Sequence, residues 1–335
     1  MRAGRSTLVF EHRPRILSSA AVTGPKEGRG PLGRDFDLVL DDPAFGEKSF
    51  EQAERKMFQT ACEICLKKAK KPAEKVQALL GGDLENQIMA ASLSARALEI
   101  PFLGLYGACS TMAESLILGS ILTDGGFADP VLCAAGSHYA TAERQYRFPL
   151  EYGNQRTPAA QWTVTGAGAC LMSRTGRGLA RAASACVGRV VDLGISDVNN
   201  MGAAMAPAAA DTLLRFFSDT GTAPGDYDRV ISGDLGGVGS HLLKELMRKQ
   251  GHPLTDEMYL DCGLCVFDDR DDVHAGASGC GCSATVLSAL ILPRLHSGEW
   301  KRVLFMATGA LLSPTSAQQG ETIPGVAHVI CLEGE

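Results

Sequence analysis

Gly107-Ala108-Cys109-Ser110 is a tight turn leading into a run that is apolar on nearly every face, through Met112, Leu116, Ile117, Leu118, Ile121 and Leu122. A thiol at such a helix N-terminus meets partial positive charge and unpaired N–H groups, and both favour the thiolate, the form that attacks carbon. Cys109 is therefore the candidate nucleophile. The plain alternative is a small, half-buried thiol that fills the head of a buried helix. Farther on, Arg144 and Arg147 stand three apart, on one helical face, with Tyr146 and Phe148 beside them. Arginine pairs bidentately with carboxylates and the rings can stack, so the segment suits a flat anion. The same arginines could instead pair with Glu143 and Glu151, and His138 just upstream could be a satisfied core or interface histidine.

Other groupings carry less. Cys262-x-x-Cys265 with Cys280-x-Cys282 has a spacing open to zinc, but the first pair sits in a strand pattern from Tyr259 to Phe267. Residues three apart in a strand point to opposite faces, so no metal site is expected. Cys62 and Cys65 fall inside the helical pattern of Ser49 to Lys71 and read as core thiols. The glycine-rich stretches Gly24 to Gly33 and Gly233 to Ser240 lack the Gly-Lys-Ser/Thr ending of a phosphate loop. Lys67, Lys68, Lys70 and Lys71 form a solvated helix end able to touch anionic lipid or a partner.

The elements that must position these residues occur twice. Leu79-Leu80-Gly81-Gly82-Asp83-Leu84 is echoed by Val230-Ile231-Ser232-Gly233-Asp234-Leu235. The turn at Gly107, the buried helix and the strand at Val131 are echoed by the turn at Gly279, a second buried helix and the strand at Val303. Ala169-Cys170-Leu171 and Ile330-Cys331-Leu332 close the two halves. Each half reads as strand, long helix, strand, buried helix, strand and hairpin strand, with outer helices over Ser49 to Lys71 and Ala208 to Asp219. Helices apolar all round belong between two sheets. The expected fold is α/β, a five-layer α/β/α/β/α arrangement of two duplicated halves, residues 1–175 and 176–335, each with a mixed sheet and a central buried helix.

These residues resemble the thiolase-like superfamily of condensing enzymes. A closer resemblance is to a thiolase-like sporulation family that supplies the soluble subunit of the spore's dipicolinic acid channel. It runs nearly end to end, through Val9-Phe10-Glu11-His12, Gly24-Pro25-Lys26-Glu27, Ser137-His138, Ala140-Thr141-Ala142-Glu143-Arg144-Gln145, Ala204-Met205-Ala206-Pro207, Gly309-Ala310-Leu311-Leu312-Ser313-Pro314-Thr315 and Glu321-Thr322-Ile323-Pro324. Condensing enzymes complete the cysteine site with a histidine and an asparagine, or two histidines, from the second half. At the matching places this chain has Gly233-Asp234-Leu235 and Gly279-Cys280-Gly281-Cys282.

The resemblance thus implies no enzyme and no cofactor, but non-catalytic binding of dipicolinic acid or its calcium complex, in uptake into the developing spore and release at germination. It implies a ligand set of Cys109, His138, Arg144 and Arg147 and no metal ligands. Membrane subunits of the same channel are the implied partners, with a homodimer also expected. The implied location is peripheral, on the spore inner membrane. The rival reading is an active condensing enzyme or acyltransferase using Cys109 on an acyl-thioester.

Composition fits this frame. The chain has 335 residues, 38 of them glycine, and a formal net charge of −6, which removes any overall electrostatic reason to bind nucleic acid. Eleven cysteines, an odd count, without a recognisable secretory leader read as reduced thiols in a cytoplasmic-type soluble protein. No apolar run is long enough to span a bilayer.

Overall fold

The computed structural model describes residues 1–146, 156–268 and 271–335. Arg147, Phe148 and Glu151 lie outside the described residues. The first five core strands are β1 (Arg15–Thr23), β2 (Ala78–Gly82), β3 (Phe102–Gly104), β4 (Val131–Ser137) and β5 (Gly166–Ser173). The next five are β6 (Ala180–Val187), β7 (Arg229–Ser232), β8 (Tyr259–Asp261), β9 (Arg302–Ala310) and β10 (Gly325–Glu333). The first set runs in the order β3-β2-β4-β5-β1 and the second in the order β8-β7-β9-β10-β6. The pairing sense repeats as well. β2 is parallel to β3 and β4, as β7 is to β8 and β9, and the remaining pairs are antiparallel. β6 also meets β1, at Ala180 opposite Ile16 and Arg181 opposite Arg15, so the two sets join at one edge.

Helices fill the layers the repeat predicts. α1 (Phe50–Ala69) starts where Ser49 Oγ accepts the Gln52 N–H at 3.3 Å, and ends at Lys70 in the left-handed region. With α2 (Met89–Leu98) it covers the outer face of the first set, burying Met57, Phe58, Cys62 and Cys65 in one apolar cluster. α5 (Met201–Thr220) and α6 (Gly236–Lys249) cover the second set in a separate cluster. Between the sets lie α3 (Thr111–Asp124) and α7 (Cys280–Val286), whose buried residues belong to a third cluster. Leu116, Ile117, Val286 and Leu287 each contribute about 1.5–3 kcal/mol there, as full burial of such side chains does. α4 (Tyr139–Tyr146) follows β4.

Three local expectations need correction. α5 begins at Met201, not Ala208, because Asn200 Oδ1 caps it by accepting the Ala203 N–H at 3.2 Å, and Pro207 is tolerated inside it. The strand expected from Tyr259 to Phe267 stops at Asp261, and Cys262–Leu264 forms a 3₁₀ turn. The second buried helix is not regular to Leu295. It widens into a π turn over Leu287–Ile291 before Pro293, whose missing N–H an ordinary α turn would need. All eleven cysteines are free thiols, ten of them buried.

Candidate functional site around Cys109

The turn that presents Cys109 is held from both halves. Ala108 takes a left-handed backbone (φ 51°), a conformation that costs roughly 1–2 kcal/mol for a residue with a Cβ. Its carbonyl accepts hydrogen bonds from Thr111 Oγ1 at 2.7 Å and from the Cys280 thiol at 3.0 Å. Gly309 on β9 lies against the same turn so closely that a Cβ there would stand 2.5 Å from the Gly107 carbonyl oxygen. Only glycine lets the second half approach.

The thiol itself meets an acid. Cys109 is buried, and the carboxyl of Asp234, which follows β7, is close enough to act on the thiol electrostatically. Burial, then the charge of Asp234, then Cys280 push the thiol pKa well above its usual value. Asp234 also accepts the Gly279 N–H at 3.0 Å, the Thr308 hydroxyl at 3.0 Å and the Ser278 hydroxyl at 3.3 Å. Burial nevertheless raises its own pKa to about 6. A helix N-terminus is worth about 0.3–2 kcal/mol to an anion. Two like charges about 4 Å apart repel by about 4 kcal/mol at an effective dielectric of about 20. The carboxylate wins, and Cys109 is a thiol rather than the thiolate that its place at a helix head suggests.

A second acidic group lies beside the first. Asp83, after β2, accepts the N–H groups of Glu85 and Ala91, both at 2.7 Å, and burial raises its pKa to about 6. Glu54 on α1 is buried and takes the Thr141 hydroxyl at 2.6 Å. Glu54 and Glu85 crowd together, with Glu54 Oε1 and both Glu85 carboxyl oxygens buried and without a hydrogen-bond partner. Burial and the charges of Asp83 and Glu85 push Glu54 well up, while burial and Asp83 raise Glu85 to about 7. The three acids together therefore keep protons to higher pH than free carboxyl groups do. The cluster reaches the surface at a cleft of about 290 Å³ whose walls include Glu51, Glu85, Thr141, Arg144 and Gln145. Tyr146 donates its hydroxyl to the Leu84 carbonyl at 2.6 Å, and its pKa is raised first by burial and then by neighbours that include Cys280 and Cys109.

The residues singled out in the sequence do not all converge on Cys109. His138 is buried at the head of α4, its Nε2 2.9 Å from the Pro43 carbonyl and its Nδ1 accepting the Ala140 N–H at 3.1 Å. Burial lowers its pKa, so the ring is neutral with the proton on Nε2, and both nitrogens are occupied. Arg144 pairs with Glu51, not with Glu143, and its side chain is 61% exposed at the cleft mouth. Glu143 pairs instead with Arg156 at 3.4 Å. Arg147 lies outside the described residues. Cys109 lies within electrostatic reach of Asp234, Cys280 and Tyr146, and the acids Glu54, Asp83 and Glu85 were not singled out by sequence. The repeated Gly-Asp-Leu turn was the one signal that pointed at Asp83 and Asp234. Among the described residues no group of three or more His, Cys, Asp or Glu side chains is placed to hold a metal ion, and no helix is long and apolar enough to cross a membrane.

Comparison with solved structures shows the fold. The human mitochondrial 3-ketoacyl-CoA thiolase in complex with CoA superposes with a TM-score of 0.64 at 12% identity, covering 98% of this chain and 100% of that one. The 3-oxoacyl-[acyl-carrier-protein] synthase III of Aquifex aeolicus VF5 gives 0.56 at 11% identity over 96% and 99% of the two chains. Both are thiolase-like, as the layered architecture requires. In sequence, the stage V sporulation protein AD of Bacillus subtilis (strain 168) is 47% identical over 330 residues, 98% of this chain and 97% of that protein. The family model described as stage V sporulation protein AD matches residues 4–333. A thiolase-like chain with an acid at its cysteine, matched over almost its whole length, belongs to the stage V sporulation protein AD family.

Proposed function

We propose that this chain is a non-catalytic binding protein and that its ligand is dipicolinic acid, alone or as the calcium complex. It works peripherally at the spore inner membrane with membrane subunits of the same channel, in loading the developing spore and in release at germination. The observation that carries the non-catalytic part is the carboxyl of Asp234 on the thiol of Cys109. A condensing cysteine needs a base for its proton and donors for the oxyanion, each donor worth about 3–4 kcal/mol. Asp234 is not a cation and supplies no oxyanion donor, and its charge opposes the thiolate. The ligand part is supported by family membership and by the protonation of the neighbourhood. Carboxyl groups that keep a proton near neutral pH donate a hydrogen bond to a dianion instead of repelling it.

Titration calorimetry with dipicolinic acid, with and without calcium, tests the ligand. Saturable heat that Cys109→Ala or Glu54→Ala weakens is the expected result, and no saturable heat in either condition sinks the reading. Incubation with acyl-CoA followed by mass spectrometry tests the chemistry. An acyl adduct on Cys109 that turns over would establish an acyltransferase instead.

A further inference from the structure

Away from Cys109, the N-terminal hairpin of Arg2–Ala3 and Thr7–Val9 lies along β6, with Thr7 opposite Cys186 and Val9 opposite Ser184. Its turn is clamped by Asp219 in the last turn of α5. The Asp219 carboxylate accepts the N–H groups of Arg5 at 3.1 Å, Ser6 at 2.8 Å and Thr7 at 2.9 Å. The clamp sets Arg2 and Arg5 beside Arg189 and Arg215, and the four arginines, with Ser6 and Val187, line a cleft of about 290 Å³. Asp211 is shared between Arg189 at 2.8 Å and Arg215 at 2.7 Å, so one acid serves two cations. Asp219 is engaged with backbone. A chain of net charge −6 thus carries a face whose local balance is positive.

The segment leaving β6 beside this cleft exposes aliphatic side chains. Val187 is 50% exposed, Val190 56% and Leu193 66%. Single exposed aliphatics are ordinary, but three within seven residues at the rim of an arginine cluster are not. Guanidinium groups with aliphatic side chains beside them match a lipid headgroup layer over acyl chains: the cations meet phosphates and the aliphatics enter the boundary beneath.

We propose that this face, Arg2, Arg5, Arg189 and Arg215 with Val187, Val190 and Leu193, docks on an anionic phospholipid surface. The proposal deepens the membrane association inferred above, resting on it only for its setting, and is tested without dipicolinic acid so that the two can fail separately. The other basic cluster, Lys67, Lys68, Lys70 and Lys71 at the end of α1, lacks such a rim, and Lys68 is paired with Asp37 at 2.9 Å.

The test is co-sedimentation of the purified full chain with vesicles of phosphatidylcholine alone or of phosphatidylcholine and phosphatidylglycerol in equal parts. Binding should require the anionic lipid and weaken with added salt. Arg2→Glu with Arg5→Glu, and separately Val190→Asp with Leu193→Asp, should each lower the affinity about tenfold or more, since each basic residue at such a surface counts for roughly fivefold and the second pair replaces inserting aliphatics by anions. The second pair sits in an exposed segment, so it still decides the matter if the first pair disturbs the hairpin. No binding to anionic vesicles overturns the proposal, as does unchanged binding by both pairs. Loss of binding only when the four lysines are replaced by glutamate moves the contact to α1. Release of the protein from vesicles by millimolar inorganic phosphate at constant ionic strength would instead make the cleft a soluble-anion site and overturn the lipid assignment.

Discussion

Asp83 and Asp234 occupy the same place in the two halves, one turn after β2 and one turn after β7, yet their surroundings differ. Asp83 faces backbone N–H groups at the head of α2 and shares its neighbourhood with Glu54 and Glu85. Asp234 faces one backbone N–H and two hydroxyls, and its charge acts on the Cys109 thiol. Duplication supplied the same turn twice. Its role was set by what the rest of each half brought to it: in one a crowded, buried acid cluster, in the other an acid whose charge disfavours the Cys109 thiolate.

Removing the second-half acid should have the largest effect. Asp234→Ala leaves the Gly279 N–H and two buried hydroxyls without an acceptor, and a loss of about 3–5 kcal/mol in urea unfolding is expected. In Asp234→Asn, which keeps one acceptor oxygen, Cys109 should react with a thiol reagent at lower pH than in the parent chain. An unchanged pH profile would mean that burial alone sets the thiol. The first-half counterpart should cost less. Asp83→Asn loses one charge from a crowded acid cluster while retaining an acceptor, so a loss of about 1–2 kcal/mol is expected by the same measurement.

The acid cluster also predicts a pH dependence. Asp83 and Glu85 have folded pKa values raised to about 6 and 7, so the folded chain holds protons that the unfolded chain has released. Their contribution is fully present below the unfolded values near 4 and fades as pH rises toward 7. Denaturation midpoints should fall between pH 5 and pH 8. Glu54→Gln keeps a donor toward Glu85 without a titrating proton, and should flatten that fall by about 1 kcal/mol. A curve of the parent's steepness would remove Glu54 from the cluster. The smallest effect belongs to Arg144→Ala, whose exposed pair with Glu51 should contribute less than about 0.5 kcal/mol to stability. Its value is as a sensor. If dipicolinic acid enters by the cleft, affinity should drop while stability does not.

The buried helices show the same division between what repeats and what does not. α3 runs without interruption to Asp124, with Ser120 and Thr123 hydroxyls returning to the Leu116 and Gly119 carbonyls at 2.7 Å. Its counterpart widens at Leu287–Ile291 just before Pro293. The apolar composition of both was plain in the chain. The widened turn was not, because it depends on how one missing N–H is accommodated in packed surroundings.

Strand and helix periods, the Gly-Asp-Leu and Gly-Ala-Cys-Ser turns, and the order of elements in each half are local properties, and they were enough to specify five layers and two like halves. They also placed Cys109 at the head of a buried helix. Partners were a different matter. Cys109 and Asp234 come from opposite halves, and they approach because glycine at 309 lets the second half close on the Gly107 turn. His138 read as a ligand donor until Pro43 and Ala140 were seen on its two nitrogens. Glu54 was not marked out in the helical pattern of Ser49 to Lys71, and only its burial beside Asp83 and Glu85 pushes its pKa well up. Local pattern settles which face of an element is apolar. Which polar groups meet across that face, and hence who keeps a proton, follows only from packing.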